Sequence, residues 1–291
     1  MERIGLIGAG RAGTALGAAL AEAGYPLVGV TARSGASRER AARLLPHVPV
    51  LTADEVTTRA DVVLIAVSDD RIQDVARTLP LTSAQYVVHL SGAHGLGPVS
   101  GLEATPVALH PSMTFPGDPG DTVRLDGVMF TATAPDEARP MVERLVKALG
   151  AQVQWVADEQ RALYHAGLVH GANHLTTLLS QAIAVLREAG VADPAATLRS
   201  LLVATLDNTL RSGHHALTGP IARGDVDTVA AHLAVLRDRT ATTYAELALA
   251  TVELAAADGR LDPETADRFT EVLIGHRTVG PGRDRTGEAP R

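Results

Sequence analysis

The sequence predicts an α/β chain, with a doubly wound, mostly parallel sheet first and an all-α domain after it. Three observations predict this. The first half alternates short apolar runs with amphipathic helical stretches, the order that builds parallel sheets covered by helices. After Val156 the strand signals stop and only helical periodicity remains. Between the first apolar run and the first helix stands Gly8-Ala9-Gly10-Arg11-Ala12-Gly13. A length of 291 residues suits two domains. The expected division is 1–156, 157–276 for the helical domain, and a tail 277–291. That tail is rich in Gly, Pro and charge and is expected to be disordered.

Each element has its own signal. Residues 3–7 (RIGLI) read as a strand, and 11–23 as a helix stopped at Gly24. Residues 27–32 are a second strand, followed by a helix near 37–45. The run 61–67 (DVVLIAV) is apolar and β-branched throughout, as expected of a strand covered on both faces. A helix over 69–78 follows, with Ser68 or Asp69 as its cap. Strands are expected at 85–90, 106–110 and 127–132, and a helix at 135–149 ending at Gly150. Right-handed crossovers leave few ways to connect these pieces. Beyond them, helices are expected at 158–189, 194–212, 225–256 and 263–274, with Asp225 as an N-cap. The first of these should line a cleft between the domains.

Composition excludes several classes. Hydrophobic residues make up 46% and charged residues 20%, so a packed protein is expected rather than a disordered one. The net charge of −7 offers no basic face for nucleic acid. With no cysteine, disulfides and thiolate chemistry are absent. Met1 runs straight into a strand, and no apolar stretch reaches the roughly 20 residues of a membrane span. A cytoplasmic protein without membrane contact is the expectation.

The glycine pattern matches G-x-G-x-x-G in the context that gives it meaning, after a strand and opening a helix. That is the Rossmann dinucleotide-binding turn. Gly8 allows the tight turn, Gly10 lets a diphosphate approach the backbone, and Gly13 lets the helix pack closely. The amides of Ala9, Arg11 and Ala12 belong to the same turn, and the positive end of the helix dipole faces the phosphates. An NAD site usually carries Asp or Glu roughly 20 residues further on. Here that neighbourhood reads Ala32-Arg33-Ser34-Gly35. Arg33 and Ser34, with Arg38 as a further contact, suit a 2′-phosphate, so NADP is the expected cofactor. Val67 and Ser68, at a strand's C-terminal end, should line the nicotinamide ribose, and Ser91 holds the equivalent place after the next strand.

With these features on the page, the chain resembles the 6-phosphogluconate dehydrogenase-like superfamily. Within it, the chain is similar to bacterial Rossmann-like oxidoreductases whose C-terminal domain has no known function. The resemblance rests on Leu109-His110-Pro111-Ser112-Met113-Thr114-Phe115, on Tyr164-His165-Ala166 leading to Asn173-His174, and on Leu217 to Asp225 (LTGPIARGD). It implies an NADP-binding Rossmann domain, a helical substrate domain, and dimerisation through that second domain. Hydroxyacid dehydrogenases of the superfamily use a lysine on the interdomain helix followed by an asparagine. This helix has Asn173 but no lysine; Lys147, the sole lysine, lies earlier.

Proton chemistry therefore falls to other groups. His165 and Asn173 lie eight residues apart on the long helix. His110, with Ser112 beside it, approaches from the Rossmann side, and Ser91 and Tyr164 are nearby alternatives. His170 and His174 share a helical face but lack a neighbouring acid, and His214-His215 reads as a helix-end pair, so no metal site is expected. The leading reading is an NADPH-dependent reductase of a small keto acid, aldehyde or imine at the interdomain cleft. The alternative is a non-enzymatic NADP-binding sensor or assembly protein.

Overall fold

The computed structural model describes residues 1–115, 120 and 125–278. From residue 279 onward the expected disordered tail lies outside the described residues. By its contacts the chain divides into Met1–His174 and Leu175–Arg291.

The first unit is built in the order β1 (Ile4–Ile7), α1 (Arg11–Glu22), β2 (Leu27–Val30), α2 (Gly35–Leu44), α3 (Ala53–Arg59), β3 (Val62–Ile65), α4 (Ile72–Arg77), β4 (Tyr86–His89), β5 (Thr105–Pro111), β6 (Met129–Thr133), α5 (Arg139–Ala148), β7 (Gln152–Trp155) and α6 (Arg161–Leu168). The sheet order is β2-β1-β3-β4-β5-β6-β7. All neighbours are parallel except β5 and β6, which pair antiparallel with His110 opposite Thr131. Successive side chains of a strand point to opposite faces, and the apolar runs feed two layers. Ile4, Leu6, Val62, Leu64 and Val88 pack with Leu16 and Leu20 of α1 and Met141, Leu145 and Val146 of α5. Ile7, Val63, Ile65 and Val87 pack with Val56 of α3 and Ile72 and Ala76 of α4. This is why β3 shows no polar alternation.

Two elements went unread in the sequence. α3 has only seven residues, too few to reveal a period, yet Thr52 and Glu55 form a capping box at its start. β7 reads QVQW, half exposed, and carries little strand signal. The boundary by contacts also falls later than 156/157. Arg161, at the start of α6, is buried against β5 and β6, so residues 157–174 count with the sheet.

A π-turn, Val169–Asn173, follows α6 and interrupts the single helix expected over 158–189. In the second unit the elements are α7 (His174–Glu188), α8 (Pro194–Ser212), α9 (Val226–Val235), α10 (Asp238–Ala257) and α11 (Pro263–Thr278). The helix expected over 225–256 is thus two, broken at Leu236 and Arg237, whose backbones are extended. No Gly or Pro marks that break in the sequence. Asp225 caps α9 as expected, accepting from the Thr228 amide at 3.0 Å. Val229 and Leu233 of α9, Ala245 and Val252 of α10, and Phe269 and Leu273 of α11 make the core of this unit. α7 has no buried residue, and α8 buries only Pro194. Among the described residues, no helix is long and apolar enough to cross a membrane.

Candidate active site

The turn after β1 is shaped by one residue of β3's end. Gly8 has φ +101°, and a Cβ there would stand 2.7 Å from the Ala66 carbonyl oxygen. At Gly10 the same oxygen would be 3.1 Å away, and at Gly13 a Cβ would overlap that of Ala66. All three glycines therefore allow β1, α1 and the end of β3 to close on one another. The Gly8 amide donates to Thr31 Oγ1 at 2.8 Å, which ties the turn to the end of β2. α1 then starts at Arg11 with Gly10 as N-cap and no side-chain cap. Its first amides are left to an outside acceptor, the arrangement that binds phosphate.

A cavity of about 640 Å³ opens beside this turn. Gly8, Ala9, Gly10, Arg33, Ser34, Ser37, Arg40, Val67 and Ser68 are among its walls. Ser34 caps α2 by accepting from the Ser37 amide at 3.1 Å, so its own hydroxyl hydrogen stays available. Arg33 is exposed. Arg40, which sequence reasoning missed in favour of Arg38, extends along the crevice and donates to the Ala9 carbonyl at 2.7 Å. The missed signal was spacing: Ser37 and Arg40 lie three residues apart on one face of α2, just past Arg33, which precedes the cap Ser34. Arg38 is exposed and does not line the cavity.

A second volume of about 490 Å³ adjoins the first through Gly10, Val67 and Ser68. Arg11, Ala12, Gly13, Asp69, Leu90 and Phe115 are also in its wall. Ser68 occupies the N-cap position of the short 3₁₀ turn at Asp69–Arg71, but its side chain makes no capping bond. Neither Ser68 nor Asp69 makes the expected side-chain cap, and Ser68 lines both parts of the crevice. The chain thus presents an uncapped, glycine-lined turn flanked by a cationic half and a partly apolar half. Its residues fit a nicotinamide dinucleotide.

Polar chemistry gathers at the C-terminal ends of β4 and β5, where parallel sheets hold ligands. His110 Nδ1 and Ser112 Oγ each lie 2.9 Å from the Tyr164 hydroxyl. The rings of His110 and His165 stand edge-on with centroids 6.4 Å apart. Burial, then the charges of Arg161 and His165, lower the His110 pKa to about 4. Its imidazole is therefore neutral at neutral pH. Ser91 is buried; its hydroxyl donates to Asp69 Oδ2 at 2.7 Å and accepts from the His94 amide at 3.2 Å. These two bonds tie it to the loop after β4. His89 is fully buried beneath that loop, with Nε2 2.8 Å from the Gly95 carbonyl, and burial chiefly lowers its pKa to about 4.

Arg161 lies under this cluster and is 1% exposed. It donates to Thr133 Oγ1 at 2.8 Å and to the carbonyls of Ala108 and Thr131 at 2.8 and 3.1 Å. Its guanidinium sits 6.0 Å from the Tyr164 ring centroid. Nη1 has no partner among the described residues. In the sequence this residue shows only as a charge at a helix start. Asn173 is exposed at the end of the π-turn and is not brought into the cluster. His170 and His174 approach to 3.4 Å between Nδ1 atoms, both exposed. Lys147 is exposed on α5.

Comparison with known proteins agrees with this architecture. Residues 2–111 match the family model of a Rossmann-like domain. Residues 128–251 match a domain of unknown function, DUF2520. No curated protein matches the chain at a significant level. Among solved structures, a Bacteroides fragilis protein provisionally described as an NADP oxidoreductase is 22% identical with a TM-score of 0.72, covering 87% of this chain and 98% of its own. A reductive aminase from Aspergillus terreus, in complex with NADPH and ethyl-5-oxohexanoate, is 17% identical with a TM-score of 0.59, covering 98% and 97%. The 1-pyrroline-5-carboxylate reductase of Streptococcus pyogenes is 15% identical with a TM-score of 0.60, covering 96% and 99%. The class defined is a Rossmann-fold chain with a helical C-terminal region. Within that class, its second half carries the DUF2520 signature.

Proposed function

We propose that the chain is an NADP(H)-dependent reductase acting on the C=O or C=N bond of a small keto acid, aldehyde or imine. The observation that carries this is the crevice around the uncapped start of α1, with Arg33, Ser34 and Arg40 on one side and Leu90 and Phe115 on the other. Guanidinium and hydroxyl groups match a 2′-phosphate, and the apolar wall matches a nicotinamide. Fold neighbours whose names include reductive aminase and pyrroline-carboxylate reductase support the reaction class. Kinship with the 6-phosphogluconate dehydrogenase-like superfamily is part of this reading.

A bound NADPH supplies the hydride. The chain's own task is to position the substrate and give a proton to the oxygen or nitrogen that gains charge. Tyr164 is the donor in this proposal, because a neutral His110 cannot serve as a charged acid. Hydrogen bonds from Ser112 and His110, and the buried Arg161 cation nearby, stabilise the phenolate left behind. Solvent then returns the proton. His165 closes the site opposite His110, Ser91 holds the loop, and Asn173 is kept as a substrate contact.

We also propose a homodimer through the helical second unit. Leu201, Val203, Leu206 and Leu210 of α8 are 54–79% exposed, an apolar display that a lone chain would not maintain. The lack of a lysine in the site favours one second reading, an NADP-binding sensor without turnover. The test is NADPH oxidation over a panel of keto acids, aldehydes and cyclic imines, with Tyr164→Phe alongside. Turnover that falls roughly 10²–10⁴-fold in the variant supports the reductase. NADPH binding with no turnover on any substrate supports the sensor.

A further inference from the structure

A cluster outside the crevice has ligand chemistry of its own. His214 and His215 follow α8, and Asp258 follows α10. His214 Nε2 and His215 Nδ1 lie 3.3 and 3.2 Å from the same carboxylate oxygen, Asp258 Oδ1. All three ligand atoms lie within 4.8 Å of one another. We propose that His214, His215 and Asp258 bind one divalent first-row transition metal ion, with zinc as the best fit.

The spacing is the first argument. Bonds of about 2.0–2.2 Å at tetrahedral angles place neighbouring ligand atoms about 3.3 Å apart. The two nitrogen-to-oxygen edges already have that length. Donor type is the second argument: two imidazoles and one carboxylate select zinc, cobalt, nickel or copper over magnesium and calcium, which prefer all-oxygen sites. The third argument is the support around the ligands. Arg260 Nε holds the other oxygen of Asp258 at 2.8 Å. Its terminal nitrogens donate to the carbonyls of His215 and Leu217, both at 2.7 Å. One guanidinium thus fixes the carboxylate and the backbone that carries a histidine, as outer-shell groups of metal sites do. The histidines are 51% and 66% exposed, so an ion can enter and water can fill the fourth position. A bound ion would fasten the end of α8 to the end of α10.

The test is titration of metal-stripped, tag-free full-length protein with Zn²⁺, Co²⁺ and Mg²⁺. One equivalent of Zn²⁺ is expected, Co²⁺ should give the strong visible bands of a four-coordinate site, and Mg²⁺ should not bind. Loss of a ligand should cost at least what loss of an outer-shell partner does, so His215→Ala should weaken Zn²⁺ binding by roughly tenfold or more. Because that ring is largely exposed, the variant should keep the apoprotein's circular dichroism. His214→Ala should behave alike, while His174→Ala, in the only other close histidine pair on a helix face among the described residues, should change nothing. Absence of stoichiometric uptake, or uptake that survives His215→Ala and is lost in His174→Ala, overturns the proposal.

Discussion

The imidazoles of His110 and His165 meet at 88° above Gly92, whose lack of a side chain makes room for both. A Cβ at residue 92 would stand 2.8 Å from His165 Cδ2 and 3.0 Å from His110 Nε2. Gly92→Ala should push these rings apart and disturb the Tyr164 hydroxyl through His110. Displacements near 1 Å cost about 10²-fold in rate. Steady-state kinetics should therefore show a large fall in kcat, while NADPH affinity stays near wild type.

Arg33 and Arg40, two of the arginines that line the crevice, should separate cleanly. Arg33 is exposed in the wall of the crevice, makes no hydrogen bond or ion pair among the described residues, and is free to meet a 2′-phosphate. Losing a charge-assisted bond of about 1.5–3 kcal/mol corresponds to roughly tenfold to a hundredfold in affinity. Arg33→Ala should lose that much for NADPH and little for NADH. Arg40→Ala should weaken both coenzymes, since Arg40 also holds Ala9 of the glycine turn. Fluorescence titration of both variants with both coenzymes checks this.

Acid should destabilise the first unit through His89. Its folded pKa of about 4 lies below the ordinary histidine value near 6.5, so the unfolded chain binds more protons between those two values. Stability from this group is fully present above about pH 6.5 and is lost as pH falls to about 4. The shift corresponds to about 3 kcal/mol. Urea unfolding across that window should show the loss, and His89→Gln should reduce it, leaving the part contributed by His110, whose pKa is lowered to about 4 as well.

Arg161→Met should be costly for the fold. The substitution leaves the Ala108 and Thr131 carbonyls and the Thr133 hydroxyl without their donor in a dry setting. A buried acceptor left unpaired costs about 1–3 kcal/mol, so a net loss of about 3 kcal/mol is expected by urea denaturation. The same variant, where folded, should also raise the pKa of His110, because the Arg161 charge helps to lower it.

Much of the architecture was legible because its signals are local. A continuous apolar β3, a glycine turn between strand and helix, and Asp225 before α9 each declare themselves within a few residues. The parts that were not legible depend on distant neighbours. Arg161 resembles any helix-start arginine until β5 and β6 enclose it. His110 looks like a general acid until burial lowers its pKa. Arg40 emerges only when α2 is laid beside the turn after β1. The break at Leu236 carries no breaker residue, and β7 is too polar to announce an edge strand. His214 and His215 looked like a helix end because Asp258, 43 residues further on, is their partner only in space.

Calorimetric titration of the full-length chain with NADPH and NADH tests the central claim most directly. The account predicts saturable binding of one dinucleotide per chain, tighter for NADPH, and its loss in Gly13→Val, where a side chain would drive α1 away from Ala66. Well-folded protein that takes up neither coenzyme, oxidised or reduced, would contradict it.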